Sequence, residues 1–157
     1  MDAWQKLSHR DIEDYPDLEG EVRSFGIFLN EVCKIERKKG TQIIHSCSSS
    51  ALHLGIMDEI EVASEDMIMG EEGNTLWGEV HASIDELYWC GFHFGRCVHS
   101  QAIVASGDQA NIVLNLCLAF PQDTWKEWGN PTVTFQDFPK MRYYLWRQTG
   151  LDEVNIS

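Results

Sequence analysis

Cys90, His93, Cys97 and His99 fall within ten residues of one another in the stretch YWCGFHFGRCVHSQ, residues 88–101. Thiolates and imidazoles together are the ligand set of a tetrahedral zinc site, so metal binding is the first chemistry these residues offer. If residues 92–105 form one strand, His93, Cys97, His99 and Gln101 share a face and Phe92, Phe94 and Val98 share the other. The spacing is compact for zinc: His93 to Cys97 along a strand spans about 13 Å, and only a bulge at Gly91 or Gly95 would draw the ligands together. A packed sheet, with the cysteines acting as small hydrophobes, is the simpler expectation. No cofactor is expected.

A second cluster lies in IIHSCSSSALHLG, residues 43–55, where Cys47 follows His45 by two residues and His53 comes six later. The run faintly resembles the phosphate loop of cysteine-dependent phosphatases, but His53 stands where that family has arginine, and no glycine precedes Gly55. A thiolate needs nearby positive charge and a phosphate needs a cation, and neither is supplied here. What remains is a small hydrolase reading, with Cys47 as nucleophile and His45 or His53 as base. The serines equally suit a turn whose side chains bond the backbone.

VHASI, residues 80–84, carries the His-x-Ser of two-histidine phosphoesterases, but no second copy of the pattern exists. Ser83 and Glu86 have a plainer use as a capping box before IDELYW. No Walker loop, dinucleotide fingerprint, HExxH or GxSxG occurs.

Charge distinguishes this chain more than any motif does. The formal net charge is −13, yet residues 1–40 hold nine acids against seven bases and residues 96–157 hold six against five. Residues 41–95 hold ten acids (Asp58, Glu59, Glu61, Glu65, Asp66, Glu71, Glu72, Glu79, Asp85 and Glu86) and no lysine or arginine. Such a segment repels phosphate and steers toward basic surfaces, which speaks against nucleic acid as a ligand. Trp77 and Trp89 lie in or beside it, and tryptophan is a frequent interface anchor. Trp125 and Trp128 share a loop further on. These features point to a module that binds a basic protein partner, as an immunity protein or an inhibitor of a nuclease or nucleic-acid-binding machine would. The predicted contact residues are Asp58, Glu59, Glu61, Glu65, Asp66, Glu71, Glu72, Trp77 and Trp89.

The elements that would position these residues are readable in outline. At 157 residues the chain is expected to form one domain, residues 1–157, with a core that needs no staple. Five scattered cysteines and the lack of a signal or membrane-length apolar run predict a soluble, cytoplasmic protein with free thiols. Leu18, Val22, Phe25, Leu29 and Val32 recur at spacings of three and four and predict a long helix after Pro16. Acids near its start, Lys34, Arg37, Lys38 and Lys39 near its end, and Gly40 as its stop suit the helix dipole. A short turn is expected over residues 8–14.

Beyond Gly40 the pattern becomes strand-like. TQIIHSC and DEIEVA read as strands, DMIMG and NTLWGEVHAS as a hairpin, and residues 92–105 with NIVLNLCLAF as a second hairpin. Asp137, Pro139, Met141, Leu145, Gln148 and Gly150 predict a final helix with its cap and stop. The expected fold is α+β: a central antiparallel sheet of about five to six strands with a long N-terminal helix and a C-terminal helix.

Overall fold

The computed structural model describes residues 18–46, 60–69, 80, 83–92, 98–99, 102, 110–118 and 141–155. They form one long helix and six strands in two sheets, a mixed α+β protein. The chain divides into two units, residues 1–83 and 84–157.

The first unit is built on helix α1, Leu18–Lys38. Its apolar spacing buries Val22, Leu29 and Val32 along one face, the arrangement that a 3.6-residue period dictates. The helix ends where Gly40 takes φ +87°, a region that costs other residues a clash at Cβ. Gly40 N–H then donates to Arg37 C=O at 2.9 Å and Thr41 N–H to Glu36 C=O at 3.0 Å. This pair of bonds is the Schellman stop, and it satisfies carbonyls the helix would otherwise leave open.

After the stop come β1, Ile44–Ser46, and β2, Met67–Met69. They pair in parallel, with His45 beside Ile68. Parallel pairing requires a long connection between the strands. The expected strand DEIEVA is corrected at its end, because Ile60 to Ala63 lead into a turn instead. That turn is closed by Asp66 N–H to Ala63 C=O at 3.1 Å. Val80 and Ser83 are helical and Ser83 Oγ donates back to Val80 C=O. Ser83 therefore bonds behind itself and does not open a helix over IDELYW, where Tyr88 begins a strand.

The second unit is a four-stranded sheet in the order β3-β4-β5-β6: Tyr88–Phe92, Asn111–Leu118, Arg142–Arg147 and Gly150–Val154. β3 pairs with β4 and β4 with β5 in parallel, and only β5 and β6 are antiparallel. Among the described residues the expected antiparallel sheet of five to six strands is therefore corrected to one of four strands, mostly parallel. The expected strand over residues 92–105 also fails, since Val98, His99 and Ala102 are helical. Parallel neighbours need a long crossover connection, and strands in such sheets are commonly buried on both faces. Successive residues Ile112 and Val113, which face opposite sides of the sheet, are accordingly both buried.

The C-terminal helix is likewise corrected, to the β5–β6 hairpin. RYYLWR is rich in aromatic side chains that suit a pleated surface, and Arg147 and Gly150 close the turn as a pair. Two further details fix the sheet. The register shifts between Trp89 and Gly91: Trp89 pairs with Ile112 and Gly91 with Cys117, so the extra residues lie on β4, while Gly91 itself takes φ +125°. Beyond the β4–β5 ladder, Asn115 acts in place of backbone: its Nδ2 donates to Trp146 C=O at 2.8 Å and its Oδ1 accepts from Trp146 N–H at 2.7 Å.

Candidate functional site

The polar centre of the first unit is Asp66, whose side chain is 0% exposed. Helix α1 brings Arg37 to it, and the guanidinium donates from Nε to Oδ1 at 2.8 Å and from Nη2 to Oδ2 at 2.5 Å. β1 brings His45, whose Nε2 lies 2.8 Å from Oδ2. Ala63 N–H adds a third bond to Oδ2 at 3.0 Å. Burial alone would raise the Asp66 carboxyl, but the bonds from Arg37, His45 and Ala63 and the Arg37 charge outweigh it and bring the pKa down to about 2. The carboxylate is thus ionised and can only accept, so His45 Nε2 must carry the proton.

The same residues tie down the loop that precedes β2. Asn30 Oδ1 accepts from Glu61 N–H at 2.8 Å, and Arg37 Nη2 donates to Glu61 C=O at 3.3 Å. Gln42 Nε2 donates to Glu65 C=O at 3.0 Å. With the Asp66–Ala63 bond, residues 61–66 are held at three backbone positions by side chains. What the loop shows outward is Glu61, Val62, Ser64 and Glu65, all exposed. Lys34 Nζ reaches both Glu31, at 2.9 Å, and Glu61, at 3.4 Å.

The predicted contact residues therefore fall into different places. Glu61 and Glu65 lie on the surface of the loop, whereas Asp66 is its buried anchor and shows no charge outward. Trp89 is 7% exposed, inside β3, and so presents almost no surface to a partner. Asp58, Glu59, Glu71, Glu72 and Trp77 lie outside the described residues.

Of the hydrolase candidates, His45 joins Asp66, and Cys47 and His53 lie outside the described residues. Cys33 is the thiol near this centre: burial pushes its pKa up, Arg37 opposes the rise, and Asp66 and Glu36 add to it. A thiol held protonated is a poor nucleophile. Of the zinc candidates, Cys90 is exposed on β3. His99 is buried, with Nε2 3.3 Å from the Tyr143 hydroxyl. His93 and Cys97 lie outside the described residues. Among the described residues no group of three or more histidines, cysteines or acids is placed to hold a metal, and no helix is long and apolar enough to cross a membrane.

Asn30, Arg37 and Gln42 escaped the sequence reading. The helix dipole explains Arg37 locally, but its partner in the structure is 29 residues away. The available signal was the imbalance itself: an acid-only segment following a basic run invites pairing between the two. No known protein family, curated protein or solved structure matches the chain.

Proposed function

We propose that this chain is an acidic protein-binding module that docks on a basic surface of a partner protein, as an immunity protein or an inhibitor of a nuclease or nucleic-acid-binding machine does. The observation that carries the reading is the loop before β2, where Glu61 and Glu65 flank an exposed Val62 on a backbone that side chains hold in place. A fixed loop loses little conformational freedom on binding, so its acids can contribute to steering and affinity with little ordering cost. Val62, 40% exposed, supplies apolar contact between them. Asp85 and Glu86, also exposed, add to the negative field of the chain. The cysteine Cys33, half-buried beside Arg37 with its thiol held protonated, suits a reducing compartment such as the cytoplasm.

The test is capture of proteins from the native source on the immobilised chain, beside the Glu61→Gln/Glu65→Gln variant, washed at low and at high salt. A basic protein held by the wild type at low salt, weakened by salt and weakened by the variant, supports the reading. Equal capture by both proteins at both salt concentrations overturns it.

A second reading rests on one observation. Asp66 fixes the proton of His45 on Nε2, which is how a carboxylate orients a catalytic base, and Cys47 follows His45 closely in the sequence. A small hydrolase built on that pair requires one cysteine to alkylate far faster than the rest near neutral pH. Uniform slow alkylation removes it.

A further inference from the structure

We infer that the outer edge of β6 is a docking site for an extended, lysine- or arginine-bearing segment of another protein, which adds to the sheet as a fifth strand. The inference concerns the second unit and is independent of the loop that carries Glu61 and Glu65.

The hairpin geometry decides which backbone groups are on offer. Two residues, Gln148 and Thr149, separate the closing pair Arg147 and Gly150, and the ladder continues through Trp146 with Leu151, Leu145 with Asp152, Tyr144 with Glu153 and Tyr143 with Val154. In a two-residue hairpin the closing pair exchanges both hydrogen bonds, and bonded and non-bonded pairs then alternate. Gly150, Asp152 and Val154 therefore bond to β5. Leu151 and Glu153 point their N–H and C=O groups away from it.

Those outward groups have no strand beyond them among the described residues, because β6 ends the order β3-β4-β5-β6. Leu151, Asp152 and Glu153 are all exposed, Leu151 by 37%. An edge of this kind is a template for strand addition, in which main-chain bonds give affinity and alternate side chains give specificity.

Charge selects the occupant. Asp152 is paired across the hairpin with Arg147. Glu153 has no ion pair among the described residues, and it lies on the same face as Leu151 two positions away. A strand placing a lysine or arginine against Glu153 and an apolar residue against Leu151 gains a favourable cross-strand pair at each. A second copy of this chain is disfavoured: antiparallel pairing of two β6 edges centred on Asp152 sets Asp152 against its own copy, pairing centred on Glu153 sets Glu153 against its own copy, and like charges directly opposite are destabilising. The acids thus guard the edge against self-association and admit a basic strand.

The test uses the full chain and a short, capped peptide in which lysine and valine stand two residues apart, separated by threonine (Thr-Lys-Thr-Val-Thr), so that both fall on one face of the added strand, with binding read by isothermal titration and by amide protection of residues 150–154. Expected are binding, new protection of the Leu151 and Glu153 amides, and at least a tenfold loss when the peptide's alternate backbone amides are N-methylated on the edge-facing side. Glu153→Lys, shown folded by circular dichroism, should switch preference to a glutamate–valine peptide. Failure of the lysine–valine peptide to bind, or equal binding of the N-methylated peptide, overturns the inference, since the latter leaves only non-specific charge attraction.

Discussion

Asp66 receives Arg37 as a two-point contact, with Nε at 2.8 Å from Oδ1 and Nη2 at 2.5 Å from Oδ2, so that the end of helix α1 is locked to the turn before β2. A bidentate guanidinium–carboxylate pair fixes direction as well as distance. It is also buried on the carboxylate side, which makes it unforgiving of losing one partner. Asp66→Asn should therefore destabilise the protein by about 3 kcal/mol, because the Arg37 charge is left without its counterion in a site only 14% open to water. Urea denaturation of the two proteins measures the difference. A change smaller than about 0.5 kcal/mol, the usual range of a surface substitution, would mean that the pair is not a structural anchor.

The same contact sets an acid limit. The Asp66 carboxyl is lowered from 3.8 to about 2, so it binds its proton more readily in the unfolded chain than in the folded one. A depressed carboxyl contributes stability in full above the unfolded pKa and loses it as pH falls through the folded value. A shift of that size corresponds to about 2 kcal/mol, present near neutrality and lost between about pH 4 and about pH 2. Stability measured across that window should fall less steeply in Asp66→Asn than in the wild type. Parallel pH profiles for the two proteins would exclude this linkage.

Helix α1 was legible because three independent signals agree on it. Val22, Leu29 and Val32 keep helical spacing, the charges complement the dipole, and Gly40 supplies the stop. The hairpin β5–β6 was not legible, because Met141, Leu145 and Gln148 fit a helical line while Tyr143, Tyr144 and Trp146 suit a strand, and short segments permit both periods. Packing settles such ties, and packing is not written locally. The parallel order of β3, β4 and β5 was hidden for a related reason: residues 92–105 are apolar enough for a strand, yet Val98, His99 and Ala102 fold as helix. The anchoring role of Asp66 was invisible because its partners Arg37 and His45 lie 29 and 21 residues away, and in the sequence it is one acid among ten.

Separating Asp66 from its exposed neighbours sharpens the binding test. Glu61→Gln/Glu65→Gln removes two surface charges and leaves every backbone tether of the loop intact. If the chain binds a basic partner as proposed, association should slow by about tenfold at low salt, and the difference should shrink as salt screens the remaining charges. Stability should change by less than about 0.5 kcal/mol. Stopped-flow mixing over a range of salt concentrations gives the rates. Rates that match the wild type throughout would remove these two acids from the interface.

Gly40 offers a clean measure of what its backbone conformation is worth. A Cβ placed there meets nothing within 4 Å, so sterics against the rest of the protein play no part. Only φ +87° opposes the substitution. Gly40→Ala should then cost about 1 kcal/mol, and Gly40→Asn less, since asparagine tolerates the left-handed region better. Thermal denaturation of the two variants ranks them. Equal stability of Gly40→Ala and wild type would show that the helix stop relaxes at no cost.

Asn115 carries a different kind of burden, since its carboxamide stands in for a strand's own peptide group. It offers one donor and one acceptor to Trp146, at 2.8 and 2.7 Å, and extends the β4–β5 contact past the point where the backbone ladder ends at Val113 and Tyr144. Asn115→Asp keeps the acceptor and loses the donor, whereas Asn115→Leu loses both. Each bond is worth about 1 kcal/mol net, so Asp should cost about 1 kcal/mol and Leu about 2. Because the residue is exposed, water can satisfy what is lost, and the effect should concentrate in local opening. Hydrogen exchange at the Trp146 amide is the deciding measurement: it should quicken in Asn115→Leu and stay slow in Asn115→Asp, which keeps the Oδ1 acceptor. Fast exchange at Trp146 already in the wild type would mean that the side chain does not extend the ladder in solution.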